Sequence, residues 1–125
     1  HRIRLVHRHY PLDNACNPTL DKPFHRNACR YAAIAWCAEQ LGRFWETNDF
    51  LYANRGTTLT ATQVARAVEI DPGKLAGCLS GDEVARAIDE DLTAGRNAGV
   101  RGTPTFVIDG KIYSGGIPAD AIPPE

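Results

Sequence analysis

The feature that most constrains this chain is a turn near its end. Asp109-Gly110 separates two β-rich runs, Val100-Arg101-Gly102-Thr103-Pro104-Thr105-Phe106-Val107-Ile108 and Lys111-Ile112-Tyr113-Ser114. An Asp-Gly pair between such runs is the strongest short-range hairpin signal a sequence carries. Gly115-Gly116 ends it, and Pro118, Pro123 and Pro124 leave room for barely one helical turn at 119–122.

The stretch before the hairpin reads as helices. Asn27 is placed to cap a first helix, Ala28 to Leu41, which Gly42 stops. A second runs from Arg43 to about Ala53 and carries Phe44, Trp45, Phe50 and Leu51, read as core. Thr60 caps a third, Ala61 to Glu69, and Asp71-Pro72 opens a short fourth that contains Cys78. Ser80-Gly81-Asp82 introduces a fifth, in which Val84, Ala87, Ile88, Asp91 and Leu92 repeat with helical period; it is expected to fray from Gly95 to Gly99. Ahead of the helices, Ile3 to Tyr10 alternates as a strand, with Ile3, Leu5, His7 and His9 on one face, and Pro11 closes it. Residues 12–25 have the punctuation of an irregular loop.

A length of 125 residues fits one domain. With 14 basic and 15 acidic residues the net charge is −1, which implies no nucleic-acid partner. No apolar run approaches the roughly 18 residues a membrane span needs. The chain has no Met and opens at His1, so we read it as a mature or excised piece. Cys16, Cys29, Cys37 and Cys78 form an even set, as a disulfide framework in an oxidising compartment would; buried free thiols are the alternative. His7 and His9, with His1 or His25, invite a metal reading, but no third ligand has motif spacing, and solvent-facing or hydrogen-bonded histidines are expected instead. The acids Asp82, Glu83, Asp89, Glu90 and Asp91 read as a solvated helix face rather than general acid/base groups, with Asp82 and Glu83 suiting the helix start.

The order strand, helical block, hairpin, together with Gly102-Thr103-Pro104-Thr105-Phe106-Val107-Ile108-Asp109-Gly110, resembles the α/β thioredoxin fold in its DsbA-like branch. Tyr10-Pro11-Leu12-Asp13, His25-Arg26-Asn27-Ala28-Cys29 and Gly42-Arg43-Phe44-Trp45-Glu46 further resemble DsbA-like thiol oxidoreductases found beside, or fused to, bacterial vitamin K epoxide reductase homologues. The resemblance implies a single, partial thioredoxin-like domain over 1–125, with a helical insertion over about 27–98 and a Pro loop and hairpin over about 100–116. It implies a cis Thr103-Pro104 bond, and that Gly102, Thr103 and Pro104 offer backbone groups to an extended polypeptide by strand addition.

The family's C-x-x-C is missing. Cysteine separations are 13, 8 and 41, so no pair is three apart. By the resemblance, a first strand and the dithiol helix precede the segment that begins here at Arg2, and the chain is expected to be a truncated one. The sheet gap would be closed by direct re-pairing, or by self-association with a strand from another copy. Four cysteines allow three pairings; a Cys16–Cys29 bridge would pin the loop, and a Cys37–Cys78 bridge joining two helices resembles one in some DsbA-like relatives.

The implied function is that of a DsbA-type thiol-disulfide oxidoreductase domain acting on protein disulfides in the periplasm or elsewhere outside the cytoplasm, silent here as a dithiol enzyme. It implies an upstream nucleophilic thiolate, a membrane vitamin K epoxide reductase homologue as re-oxidising partner, and no cofactor or metal. Two other readings are a non-catalytic thioredoxin-like peptide-binding module and a DsbA-like glutathione-dependent isomerase, whose site also lies in the missing first helix.

Overall fold

A computed structural model describes residues 3–121. It contains α1 (Ala28–Gln40), α2 (Phe44–Ala53), α3 (Ala61–Ala67), α4 (Pro72–Leu79), α5 (Asp82–Ala98), β1 (Thr105–Ile108), β2 (Lys111–Ser114) and a 3₁₀ turn at Ala119–Ala121. The metal candidate His1, and Ile122, Pro123 and Pro124, lie outside the described residues.

Local chemistry accounts for the starts of α3 and α4 and the end of α5. Thr60 and Gln63 form a reciprocal capping box at the start of α3, and the Asp71 carboxylate accepts the Lys74 N–H with Pro72 at the first position of α4. Asn27 does occupy the N-cap position of α1, yet its side chain caps nothing and donates instead to Thr58 Oγ1 at 3.2 Å. The anticipated fraying of α5 does not occur. The helix runs through Gly95 to Ala98 and closes on Gly99, which takes the left-handed conformation (φ 90°) while Val100 donates back to the Gly95 carbonyl at 2.9 Å.

Gly95 is needed for a packing reason. A Cβ there would sit 2.7 Å from Cδ1 and Cε1 of the Tyr10 ring, whose hydroxyl donates to the Val100 carbonyl at 3.4 Å. Gly95→Ala should therefore destabilise by about 1–2 kcal/mol despite the roughly 1 kcal/mol that Ala gains in a helix interior, because the ring must leave its seat. Urea unfolding checks this: Tyr10→Ala should turn the same substitution favourable, and a neutral Gly95→Ala in the wild-type background would refute the packing argument.

The core belongs to the helices. Ile34, Cys37 and Ala38 of α1, Phe44 and Leu51 of α2, Val64 and Ala65 of α3, Leu75 of α4 and Val84 of α5 form one buried cluster. Burial of these faces is the main stabilising term, at roughly 25 cal/mol per Å² of apolar surface. The Cys37–Cys78 disulfide ties α1 to α4 through this cluster, and Cys16–Cys29 ties the loop to the first turn of α1.

The sheet is small. β1 and β2 pair antiparallel, Thr105 with Ser114 through Ile108 with Lys111, across Asp109 and Gly110 at positive φ (50° and 80°). This is the mixed helical architecture of a partial thioredoxin-like fold with a helical insertion. The strand expected from Ile3 to Tyr10 is absent: these residues carry no ladder, and Ile3, Leu5 and Val6 are exposed. A strand exists only where a partner takes its N–H and C=O groups, and among the described residues β1 and β2 pair only with each other, so direct re-pairing does not occur.

Candidate functional site

Two surfaces hold the residues singled out by sequence. At the first, the Thr103–Pro104 peptide bond is cis and leads into β1. The loop is braced from within: Thr105 Oγ1 donates to the Gly102 carbonyl at 2.6 Å, and Gly115 N–H donates to the Pro104 carbonyl at 2.8 Å. Thr103 and Pro104 are exposed and Gly102 half-buried. Beyond them Val107 and Ile112 also stand in solvent, so the hairpin presents open apolar surface next to the Pro loop.

The second surface is a groove of about 540 Å³ whose lining includes His7, His9, Trp36, Glu39, Phe44, Trp45, Glu90 and Asp91. Residues 4–9 run along it and are fastened by α5. The His9 N–H donates to Asp91 Oδ2 at 2.9 Å, and Arg8 Nη1 donates to Asp91 Oδ1 at 3.2 Å. The His7 ring lies 4.8 Å from His9 and 4.9 Å from Phe44, and Phe44 meets Trp45 edge-on at 4.8 Å.

His9 is buried rather than solvent-facing, and aromatic packing holds its ring. Burial, then the neighbouring His7, push its pKa down to about 4 against the pull of Asp91. His7 is also lowered by burial, opposed by Asp91 and Glu39. Both histidines are neutral at physiological pH. No cluster of three metal-ligating side chains occurs among the described residues.

Two further expectations are corrected here. Asp91 is not part of a solvated acidic face, because its side chain is largely covered and holds the N-terminal segment. Its place on the apolar stripe of α5, beside Ile88 and Leu92, was the available signal: an acid facing inward needs partners. Trp45 is not core, since it is 47% exposed and forms a wall of the groove.

The four cysteines form Cys16–Cys29 and Cys37–Cys78, with Cα separations of 5.9 Å in both. The two bridges sit differently. Cys37 is fully buried and its partner Cys78 half-exposed, whereas Cys16 and Cys29 are both half-exposed. No C-x-x-C faces the Pro loop from within the chain. No helix among the described residues is long and apolar enough to cross a membrane.

Comparison with known proteins draws on the same span. The chain is 30% identical over 122 residues to the Na(+)/H(+) antiporter NhaA 1 of Salinispora arenicola (strain CNS-205), covering 96% of this chain and 17% of that protein. It is 30% identical over 115 residues to the Na(+)/H(+) antiporter NhaA 3 of Salinispora tropica, covering 90% of this chain and 16% of that protein. The chain thus spans about one sixth of the length of these curated relatives. No solved structure matches. The DSBA-like thioredoxin domain matches residues 1–123, from the His7–His9 segment through the Pro loop and hairpin, and this chain belongs to that family.

Proposed function

We propose that the chain is the greater part of a DsbA-type thiol-disulfide oxidoreductase domain that acts on disulfides of extended polypeptides outside the cytoplasm. The observation that carries the reading is the family match over residues 1–123, with the Gly102-Thr103-Pro104 loop, exposed at Thr103 and Pro104, leading into a strand whose outer edge is unpaired among the described residues. Bracing by Thr105 and Gly115 engages the Gly102 and Pro104 carbonyls and fixes the loop, while the backbone of exposed Thr103 stays accessible, which suits a peptide added alongside it. Two disulfides suit an oxidising compartment such as the periplasm.

The nucleophile lies outside this chain in the proposal. An upstream C-x-x-C thiolate at a helix start attacks or receives a disulfide through a mixed-disulfide intermediate, and the Pro loop holds the substrate strand beside it. A membrane vitamin K epoxide reductase homologue is the proposed re-oxidising partner. The two relatives are long proteins named as antiporters, which supports a domain that works as part of a larger chain.

The test is a titration of the isotopically labelled chain with a reduced, unfolded peptide, followed by amide resonances. Shifts centred on Gly102, Thr103 and Thr105 are expected; their absence, or shifts confined to the His7–His9 groove, would defeat the reading. A gene product extended upstream should then oxidise reduced ribonuclease if it brings a C-x-x-C. The second reading is a non-catalytic peptide-binding module. An extended product without a C-x-x-C that still binds peptide at Thr103 would establish it.

A further inference from the structure

The two disulfides differ in what surrounds them, and the difference has chemical content. Cys37 is wholly buried, and Cys78, though half-exposed, packs against the core cluster. Cys16 and Cys29, by contrast, line a cavity of about 360 Å³ together with Ala33, Val84, Ala85, Ile88 and Asp89. The floor is apolar, with Val84 and Ile88 buried, while Ala85 and Asp89 stand exposed at the rim. A structural bridge is ordinarily walled off, whereas this one forms part of the wall of an open cleft.

We propose that Cys16–Cys29 is a second redox site, which exchanges with the cysteine thiol of a peptide carrying an apolar neighbour. Nothing in this rests on the Pro loop or on an upstream dithiol, so the two readings stand or fall separately. The size of the cleft suits one aliphatic side chain beside the attacking sulfur. Its charged lining residue is Asp89, which disfavours anionic thiols.

The exchange balances as follows. A peptide thiolate attacks Cys16 Sγ, the Cys16–Cys29 bond breaks, a peptide–Cys16 disulfide forms and Cys29 leaves as thiolate. Cys16 lies in the loop and can follow its new partner. Cys29 is the second residue of α1, where the helix start favours a departing anion. Once protonated, its thiol has an acceptor at hand in the Asp13 carbonyl, 3.3 Å from Cys29 Sγ. A second peptide thiolate then attacks the mixed disulfide, releasing oxidised peptide dimer and leaving Cys16 and Cys29 reduced. Two electrons pass from two peptide thiols to the bridge.

The experiment exposes the full chain to N-acetyl-leucyl-cysteinamide, quenches with iodoacetamide at intervals and maps the peptides by mass. Cys16–Cys29 should open about tenfold faster than Cys37–Cys78, because both of its residues are half-exposed on the cleft, whereas Cys37 is wholly buried and attack at the second bridge is confined to the half-exposed Cys78 packed against the core. The peptide adduct should sit on Cys16 and the alkyl group on Cys29, with the circular dichroism of the helices unchanged. At equal thiolate concentration the neutral peptide should outpace anionic glutathione about tenfold, and Ala85→Trp should abolish that preference while leaving the rate with 2-mercaptoethanol unaltered. Opening of both bridges at one rate, or equal rates with the two thiols on the wild-type chain, would overturn the proposal without any variant having to fold.

Discussion

Replacing Cys37 and Cys78 together by Ala should cost about 4 kcal/mol of unfolding free energy, the largest effect expected of any change discussed here. The bridge closes a sequence separation of 41 residues, and loop-closure entropy of the unfolded chain at that length is worth about 4 kcal/mol. Geometry adds to it. The Cys37 side chain is fully buried between α1 and the neighbouring helices, so truncation to Ala also removes packed sulfur from the core. Domains of this size are stable by about 5–15 kcal/mol, so a chain without the bridge keeps a small margin. Urea denaturation of wild type and double variant measures the loss; a difference below about 1 kcal/mol would mean that the unfolded chain is already compact enough for the bridge to constrain little. Loss of Cys16–Cys29, which spans a separation of 13, should cost less on the same argument.

What could be read in the sequence follows from how local each determinant is. The starts of α3 and α4 rest on Thr60 and Asp71, and the hairpin on Asp109-Gly110; each is decided within four residues and is where the sequence places it, although α3 ends at Ala67 and not at the expected Glu69. The Ile3–Tyr10 segment fails as a strand because alternation records a preference for two faces, whereas pairing needs a neighbour that these residues do not find. Gly95 departs from the fraying expected there for a related reason. Glycine ordinarily weakens a helix, yet here the missing Cβ admits a ring from 85 positions earlier, a contact no helical period reveals. Asp91 and Trp45 show the same limit, since each lines up with residues distant in sequence and close in space. The candidate Pro loop is legible because its residues are contiguous, while the His7–His9 groove, assembled from the N-terminal segment, α1, α2 and α5, is not.

Lowering the pH should weaken this fold through His9. Its pKa falls from 6.5 to about 4 on folding, so between those values the unfolded chain binds a proton that the folded chain does not. The unfolded state then gains at each step downward: stability is fully present above pH 6.5, declines as the pH falls and levels off near 4. Carried over the whole window, one such group accounts for about 3 kcal/mol. His7, lowered in the same direction, adds to the decline. Charging His9 would place a cation among Phe44 and His7 with Asp91 already engaged by Arg8 and by the His9 backbone, and release of residues 4–9 from the groove is the physical form the loss would take. His9→Phe keeps a ring against Phe44, leaves the backbone bond to Asp91 intact and cannot take up a proton. Urea unfolding of both proteins at several pH values isolates the term, since carboxylates common to the two cancel in the difference. Relative to the variant, wild type should lose about 3 kcal/mol between pH 7 and about 4; a difference independent of pH would show that His9 is as easily protonated in the folded chain as in the unfolded one.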